Sequence, residues 1–177
     1  MMIAALARAA GLFARADWLA AAQHAYDGAM AALRTDAGLL VHSARGGRQL
    51  NISLAGDYGF FGQAALALYE ATGDASYLAQ AEAFATQLET DFLDDRNGGY
   101  LTNAKTDKAA ALVNQRAVHD NAMPSANAAI LTLLGDLATL SGKPVYQQRA
   151  ATLFTALAGH LAKNHPAMTA FLTAQQT

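Results

Sequence analysis

Asp57-Tyr58-Gly59-Phe60-Phe61-Gly62-Gln63-Ala64-Ala65-Leu66-Ala67-Leu68-Tyr69-Glu70-Ala71-Thr72-Gly73-Asp74-Ala75-Ser76-Tyr77 runs up to a glycine, turns within a few residues, and restarts on an aromatic. Phe60, Phe61, Ala64, Ala65, Leu68 and Tyr69 make the first part apolar almost all round at helical spacing, so a helix over 57–72 must be buried on several sides. Gly73 stands where a C-terminal cap is expected, because glycine enters the left-handed conformation without a Cβ penalty. Asp74 and Ser76 can cap the next helix, Tyr77 to Phe92, which carries Gln80, Glu82, Gln87 and Glu89 on a wetter face. The unit is a helical hairpin.

The same unit lies on either side. Met2 to Phe13 places Ile3, Leu6, Ala10 and Phe13 at three- and four-residue spacing, and Asp17 is expected to cap Trp18 to Leu33, with Trp18, Ala22, Ala25 and Ala29 on one side. Further on, a helix over Pro124 to Leu140 stops at Ser141-Gly142, another starts on Pro144 and runs to about Lys163, and Pro166 to Gln175 makes a last short one. Trp18, Tyr77 and Tyr146 are equivalent at offsets of 59 and 69, which also align Ala22, Ala81 and Ala150, then Ala25, Phe84 and Leu153. That is a repeat of hairpins. Between hairpins, Leu39-Leu40-Val41 with Arg45-Gly46-Gly47-Arg48, and Tyr100-Leu101-Thr102 after the Asp94–Gly99 turn, read as short β-excursions. Thr106 to Val118 reads as loop with at most a broken strand. The expected fold class is all-α, with residues 1–177 forming a single domain of about three hairpins.

Composition narrows the function. The 177 residues are 53% hydrophobic and 15% charged, with net charge -2 and no block of Lys or Arg longer than a pair. Nucleic acid and anionic membrane are therefore not expected partners. With no cysteine there are no disulfides, zinc-thiolate sites or thiol nucleophiles. The apolar stretch from Met1 to Ala22 lacks a basic start and is interrupted by Arg8, so it is not read as a signal peptide. No run of uncharged apolar residues reaches transmembrane length. A cytoplasmic protein is expected. The five histidines show no helical metal spacing, and neither a metal nor a cofactor is expected.

The densest polar cluster is His119-Asp120-Asn121-Ala122-Met123-Pro124-Ser125-Ala126-Asn127. Taken with Leu66–Asp74 after Asp57-Tyr58, and with Asn97-Gly98-Gly99-Tyr100, it resembles the C-terminal helical portion of the spermatogenesis-associated thioredoxin-like proteins and their bacterial relatives. In those, a thioredoxin-like domain precedes an α/α toroid of the N-acylglucosamine 2-epimerase and six-hairpin glycosidase type. The chain departs from the family pattern at Gly56, where an acidic residue is usual, and at Asn121 and Ala126, where glycine is frequent. The thioredoxin-like domain and the earlier hairpins have no counterpart, so a partial (α/α)6 toroid of about three hairpins in six is implied.

The resemblance implies a ring of inner helices whose N-termini surround one mouth, where free N–H groups suit sugar or anionic oxygens. At the offset of 69, Asp57 falls on Ala126, between Ser125 and Asn127; at 59, the matching place lies just before Met1. The candidates are His119, Asp120 and Asp57 as acid/base groups, with Tyr58, Asn121, Ser125, Asn127 and Arg116 as substrate contacts. The plainer reading makes Asp57 and Asp120 helix caps, uses the amides to tie turns, and pairs Arg116 with Asp120. His24, His42, His160 and His165 read as surface residues. Two functions stand: a sugar-binding toroid portion with isomerase, epimerase or glycosidase-like activity, or a non-catalytic helical scaffold. A partial ring exposes inner-helix surface, so a homodimer or packing against a missing N-terminal portion is expected.

Overall fold

Seven α-helices lie in two rows in the computed structural model, which describes residues 1–107 and 115–175. Hairpins α1 (Met2–Leu12) with α2 (Ala16–Leu33), α3 (Ala55–Thr72) with α4 (Ala75–Asp91), and α5 (Ala126–Ser141) with α6 (Pro144–Asn164) follow in order. Helices α1, α3 and α5 pack side by side as an inner row, each backed by its own partner. A 3-10 turn, His165–Ala167, then leads to α7 (Thr169–Ala174), which packs on α5 as the next inner position. The core between the rows holds Tyr26, Tyr58, Leu66, Phe84, Leu88, Ile130, Leu133, Leu134 and Leu157.

The repeat is visible in the backbone. Trp18, Tyr77 and Tyr146 are each the third residue of an outer helix, and Ala14, Gly73 and Gly142, at the same two offsets, each hold the left-handed conformation that turns the hairpin. Ala14 does so at φ 52°, where an L side chain is strained and glycine is not. On α2 the buried stripe is Ala22, Tyr26 and Met30, so Tyr26 takes the core place expected of Ala25, which is exposed. The inner helices approach closely through Gly56, Gly59 and Gly62. A Cβ at Gly59 would stand 3.1 Å from the Ala129 Cβ and 3.2 Å from the Ile130 nitrogen, so only a bare backbone fits against α5.

Several local expectations are corrected. Asp17 lies inside the first turn of α2 and forms an ion pair with Arg15, the residue at the cap position. Asp57 likewise sits in the first turn of α3, behind Leu54 at the cap. Helix α5 starts at Ala126 instead of Pro124, with Ser125 as cap, its hydroxyl accepting from the Ala128 N–H. The first β-excursion is the antiparallel pair β1 (Ser43–Arg45) and β2 (Arg48–Leu50) around Gly46-Gly47, displaced from Leu39–Val41. The second is reduced to single bridges, Leu93 to Tyr100 and Leu54 to Asn103. Of the loop expected over 106–118, residues 108–114 lie outside the described residues.

Candidate functional site

The sequence-expected polar residues gather at the end of the molecule where the inner helices begin, and most of them bind the chain itself. Asn127, in the first turn of α5, is fully buried. Its Oδ1 accepts from the Tyr100 N–H at 2.8 Å, and its Nδ2 donates to the carbonyls of Tyr100 at 3.0 Å and Ala117 at 2.9 Å. The amide thus replaces a strand partner for Tyr100 and fastens two loops to α5. Gly99 must be glycine for this joint, since its φ is +74° and a Cβ would lie 3.3 Å from the Asn127 Oδ1. Arg116 completes the joint by donating to the carbonyls of Gly98 at 2.8 Å and Asn97 at 3.2 Å, with Asp94 at 3.8 Å. Its carboxylate neighbour is Asp94 and not Asp120.

Asp120 is a double tether. Oδ1 accepts from the Ser125 N–H and Oδ2 from the Ala170 N–H, both at 2.8 Å, so one carboxylate closes the turn before α5 and caps the start of α7. Ser125 is buried in its capping role, while His119 and Asn121 are exposed beside it. Tyr58 is in the core: its ring packs against Phe84 and Phe92, and its hydroxyl accepts from the Leu40 N–H at 3.0 Å and bonds Ser53 at 3.2 Å.

Asp57 stands apart from that set. Its Oδ2 lies 2.9 Å from Nδ1 of His42, a residue whose sequence context suggests plain surface. Burial pushes the Asp57 carboxyl up, and the hydrogen bond and charge of His42 pull part of that shift back. A carboxylate orienting a half-exposed imidazole is an arrangement suited to proton transfer. The pairing joins the β-excursion to α3, and no spacing in the sequence signals it.

A cleft of about 280 Å³ opens on the inner row near the same end. Three inner helices wall it, with Phe60 and Gln63 of α3, Thr132 of α5 and Thr173 of α7, and Met1, just before α1, closes one side. Phe60 lies about one turn and Gln63 nearly two turns beyond Asp57, on the same helix. Gln63 donates to the Ala129 carbonyl at 2.7 Å, which holds its amide on the wall. An aromatic face beside an amide and hydroxyls is a mixed surface of the kind that binds small molecules with both apolar and polar sides. Sequence reasoning placed Phe60 in the core and passed over Gln63 and Thr132, because a helix apolar on most sides does not reveal which side faces the open row.

One to two turns deeper, Arg8 of α1 reaches Asp136 of α5 at 3.7 Å and Glu70 of α3 at 4.0 Å. A side chain that spans from α1 to α5 must cross α3 on one of its faces. Arg8 and Glu70 are 50% and 47% exposed, so the crossing is on the open face and not between the rows. The inner row is therefore concave on that face. The Asp136 Oδ2 is buried with no hydrogen-bond partner, and burial pushes its carboxyl up, Arg8 opposing and Glu70 adding to the shift. Among the described residues, no group of three or more His, Cys, Asp or Glu side chains gathers as a metal site would require, and no helix is long and apolar enough to cross a membrane.

This arrangement is the α/α-toroid fold. The chain is similar to the solved structures of D-mannose isomerase (21% identity, TM-score 0.74, 92% of this chain and 41% of that one) and of cellobiose 2-epimerase from Spirochaeta thermophila (20%, 0.73, 92% and 43%). It is also similar to an unsaturated glucuronyl hydrolase specific for heparin (18%, 0.66, 88% and 44%). The chain thus spans less than half the length of each of these neighbours. No protein-family model and no curated sequence matches it.

Proposed function

We propose that the concave face of the inner row binds a carbohydrate, with the sugar ring against Phe60 and its hydroxyls toward Gln63, Thr132 and Thr173. The observation that carries this is the cleft itself, walled by α3, α5 and α7 and combining an aromatic face with amide and hydroxyl groups. The fold neighbours support it, since their names place sugars with an isomerase, an epimerase and a hydrolase. The likeness of the Asp57-Tyr58, Asn97–Tyr100 and Asp120–Asn127 motifs to the spermatogenesis-associated thioredoxin-like proteins belongs to the same reading. If the domain is catalytic, His42 with Asp57 at the rim is the acid/base pair best placed for it, ahead of His119 and Asp120.

A second reading, a non-catalytic scaffold whose open face packs against another chain or another part of a longer one, is favoured by the structural work of Asn127, Asp120 and Tyr58. Titration of the protein with mannose and cellobiose, followed by amide NMR, separates the two. The sugar reading expects saturable shifts along α3 and α5 that vanish in Phe60→Ala. Absence of shifts at high millimolar sugar, or shifts that persist in that variant, would sink it.

A further inference from the structure

At the junctions inside the chain, the outer helix of one hairpin receives the start of the next outer helix. Tyr26 of α2 packs on the Tyr77 ring of α4 at 5.6 Å and donates to Gln80 Oε1 at 3.1 Å. Glu82 of α4 pairs with Lys143, the cap residue of α6, at 2.6 Å. The repeat offsets carry Tyr26 through Ala85 to Phe154, and Glu82 to Ala151. Phe154 and Ala151 line a groove of about 550 Å³ along α5 and α6, with Leu131, Ala138 and Ala150. The third hairpin therefore carries the same seat. Helix α7 covers only part of it, with Phe171 stacked on Phe154 at 5.7 Å and Ala174 at the groove's edge.

The first hairpin turn departs from the other two. In those, Thr72 and Ser141 donate to the carbonyls of Leu68 and Leu137, both at 2.6 Å, and accept from the N–H groups of Asp74 and Lys143. A left-handed glycine follows each. At the matching place in the first turn stands Phe13, 67% exposed, after Leu12, which is 82% exposed. Trp18 packs on Phe13 at 5.9 Å and is half-buried, where its equivalents Tyr77 and Tyr146 are buried. A hydroxyl and a glycine that hold the other turns are thus replaced by an exposed apolar knob.

We propose that the α5–α6 groove seats the first hairpin of a second copy of this chain, and that two copies close head to tail into a ring of six hairpins. The two offsets together make α1 the counterpart of Ile130–Leu140, the later part of α5, while α7 flanks the earlier part. The α7 of one copy and the α1 of the other thus share one inner-helix place. Trp18 of the second copy then meets Phe154 as Tyr77 meets Tyr26. Arg15, the cap residue of α2, meets Ala151 as Lys143 meets Glu82. With the knob at one end of the row and the seat at the other, the contact closes after two copies of three hairpins each. The partner contributes inner helices to the concavity that holds the cleft. The inference stands whether or not that cleft binds a sugar.

The test is light scattering and sedimentation velocity on the 177-residue chain over a dilution series. A mass near twice the 18.5 kDa of one chain is expected. On dilution the emission of Trp18, the one tryptophan, should shift to the red over the same range in which the dimer dissociates. Phe13→Thr with Ala14→Gly gives the first turn the residues found at Thr72-Gly73, so it is expected to keep the helical circular dichroism while weakening the dimer at least tenfold. Ala151→Arg, at an exposed position set against Arg15 of the second copy, is expected to weaken it by as much, and Ala151→Glu to leave it as tight or tighter. The Ala151 pair carries the test alone if the turn variant does not fold. A monomer at high micromolar concentration overturns the proposal, as do open assemblies larger than a dimer. A dimer that responds to Phe13 but not to Ala151→Arg also overturns it, since the knobs would then pair with each other.

Discussion

Replacing Asp136 with asparagine is expected to stabilise the protein at neutral pH, although it removes an ion-pair partner. The Asp136 side chain is 18% exposed, and its Oδ2 is buried without a donor. A buried acceptor left unsatisfied costs roughly 1–3 kcal/mol, more when charged. Asparagine keeps a polar atom at that place while removing the charge, so the variant recovers the charge-dependent part. Against this stands the pair with Arg8 at 3.7 Å, beyond hydrogen-bond length and with Arg8 half exposed. Pairs of that kind contribute about 0–1 kcal/mol. The balance favours the variant by about 1 kcal/mol, or about 2–4 °C in Tm for a chain of this size. The sign with pH follows from the direction of the shift. The folded-state pKa of Asp136 is raised, so the folded state holds this proton more tightly than the unfolded chain does. Below the unfolded value, about 3.9, both states are protonated and the wild type pays nothing. As pH rises from there through the folded value the cost accumulates, and it is constant above. Thermal unfolding of both proteins from pH 4 to pH 8 should show curves that converge at the acidic end and separate toward neutrality. A lower Tm for the variant at pH 7, or a gap that does not change with pH, would refute the reasoning.

Three further changes test the scaffold. Ala14→Gly should raise stability by about 1 kcal/mol in thermal or chemical unfolding, since it relieves a left-handed alanine in the one hairpin turn of the three that lacks glycine; a loss would mean the turn needs its methyl group. Asn127→Ala should cost about 3 kcal/mol or more in chemical denaturation, because Tyr100 and Ala117 lose their partners inside the protein; a cost below 1 kcal/mol would show that water replaces the amide. Asp120→Ala should speed hydrogen exchange at the Ser125 and Ala170 amides while leaving the middle of α3 protected; unchanged exchange at Ala170 would show that α7 is held by Phe171 packing alone.

The resemblance-derived site and the observed one overlap only in part, for a reason visible at Asn127 and Gly99. Asn97-Gly98-Gly99-Tyr100 and Asp120–Asn127 look like ligand-binding motifs, being dense in polar and turn residues. In space they meet, the amide of one pairing with the backbone of the other, so their constraint is satisfied within the chain. Gln63 and Thr132, which wall the cleft, look like ordinary interruptions of apolar helices.

By itself the sequence determined the hairpins, their order and their equivalence, because helix periodicity and the glycine stops at 73 and 142 act over a few neighbouring positions. Cap positions slipped by two or three residues at Asp17 and Asp57, where a neighbouring residue with no capping side chain took the place. Tertiary structure alone decided which face of each helix is concave, that Arg8 meets Glu70 and Asp136, and that His42 meets Asp57. Those contacts depend on the rotation and close approach of whole helices. Here that approach is set by Gly56, Gly59 and Gly62 against α5, and it brings together side chains whose separation along the chain carries no local signal.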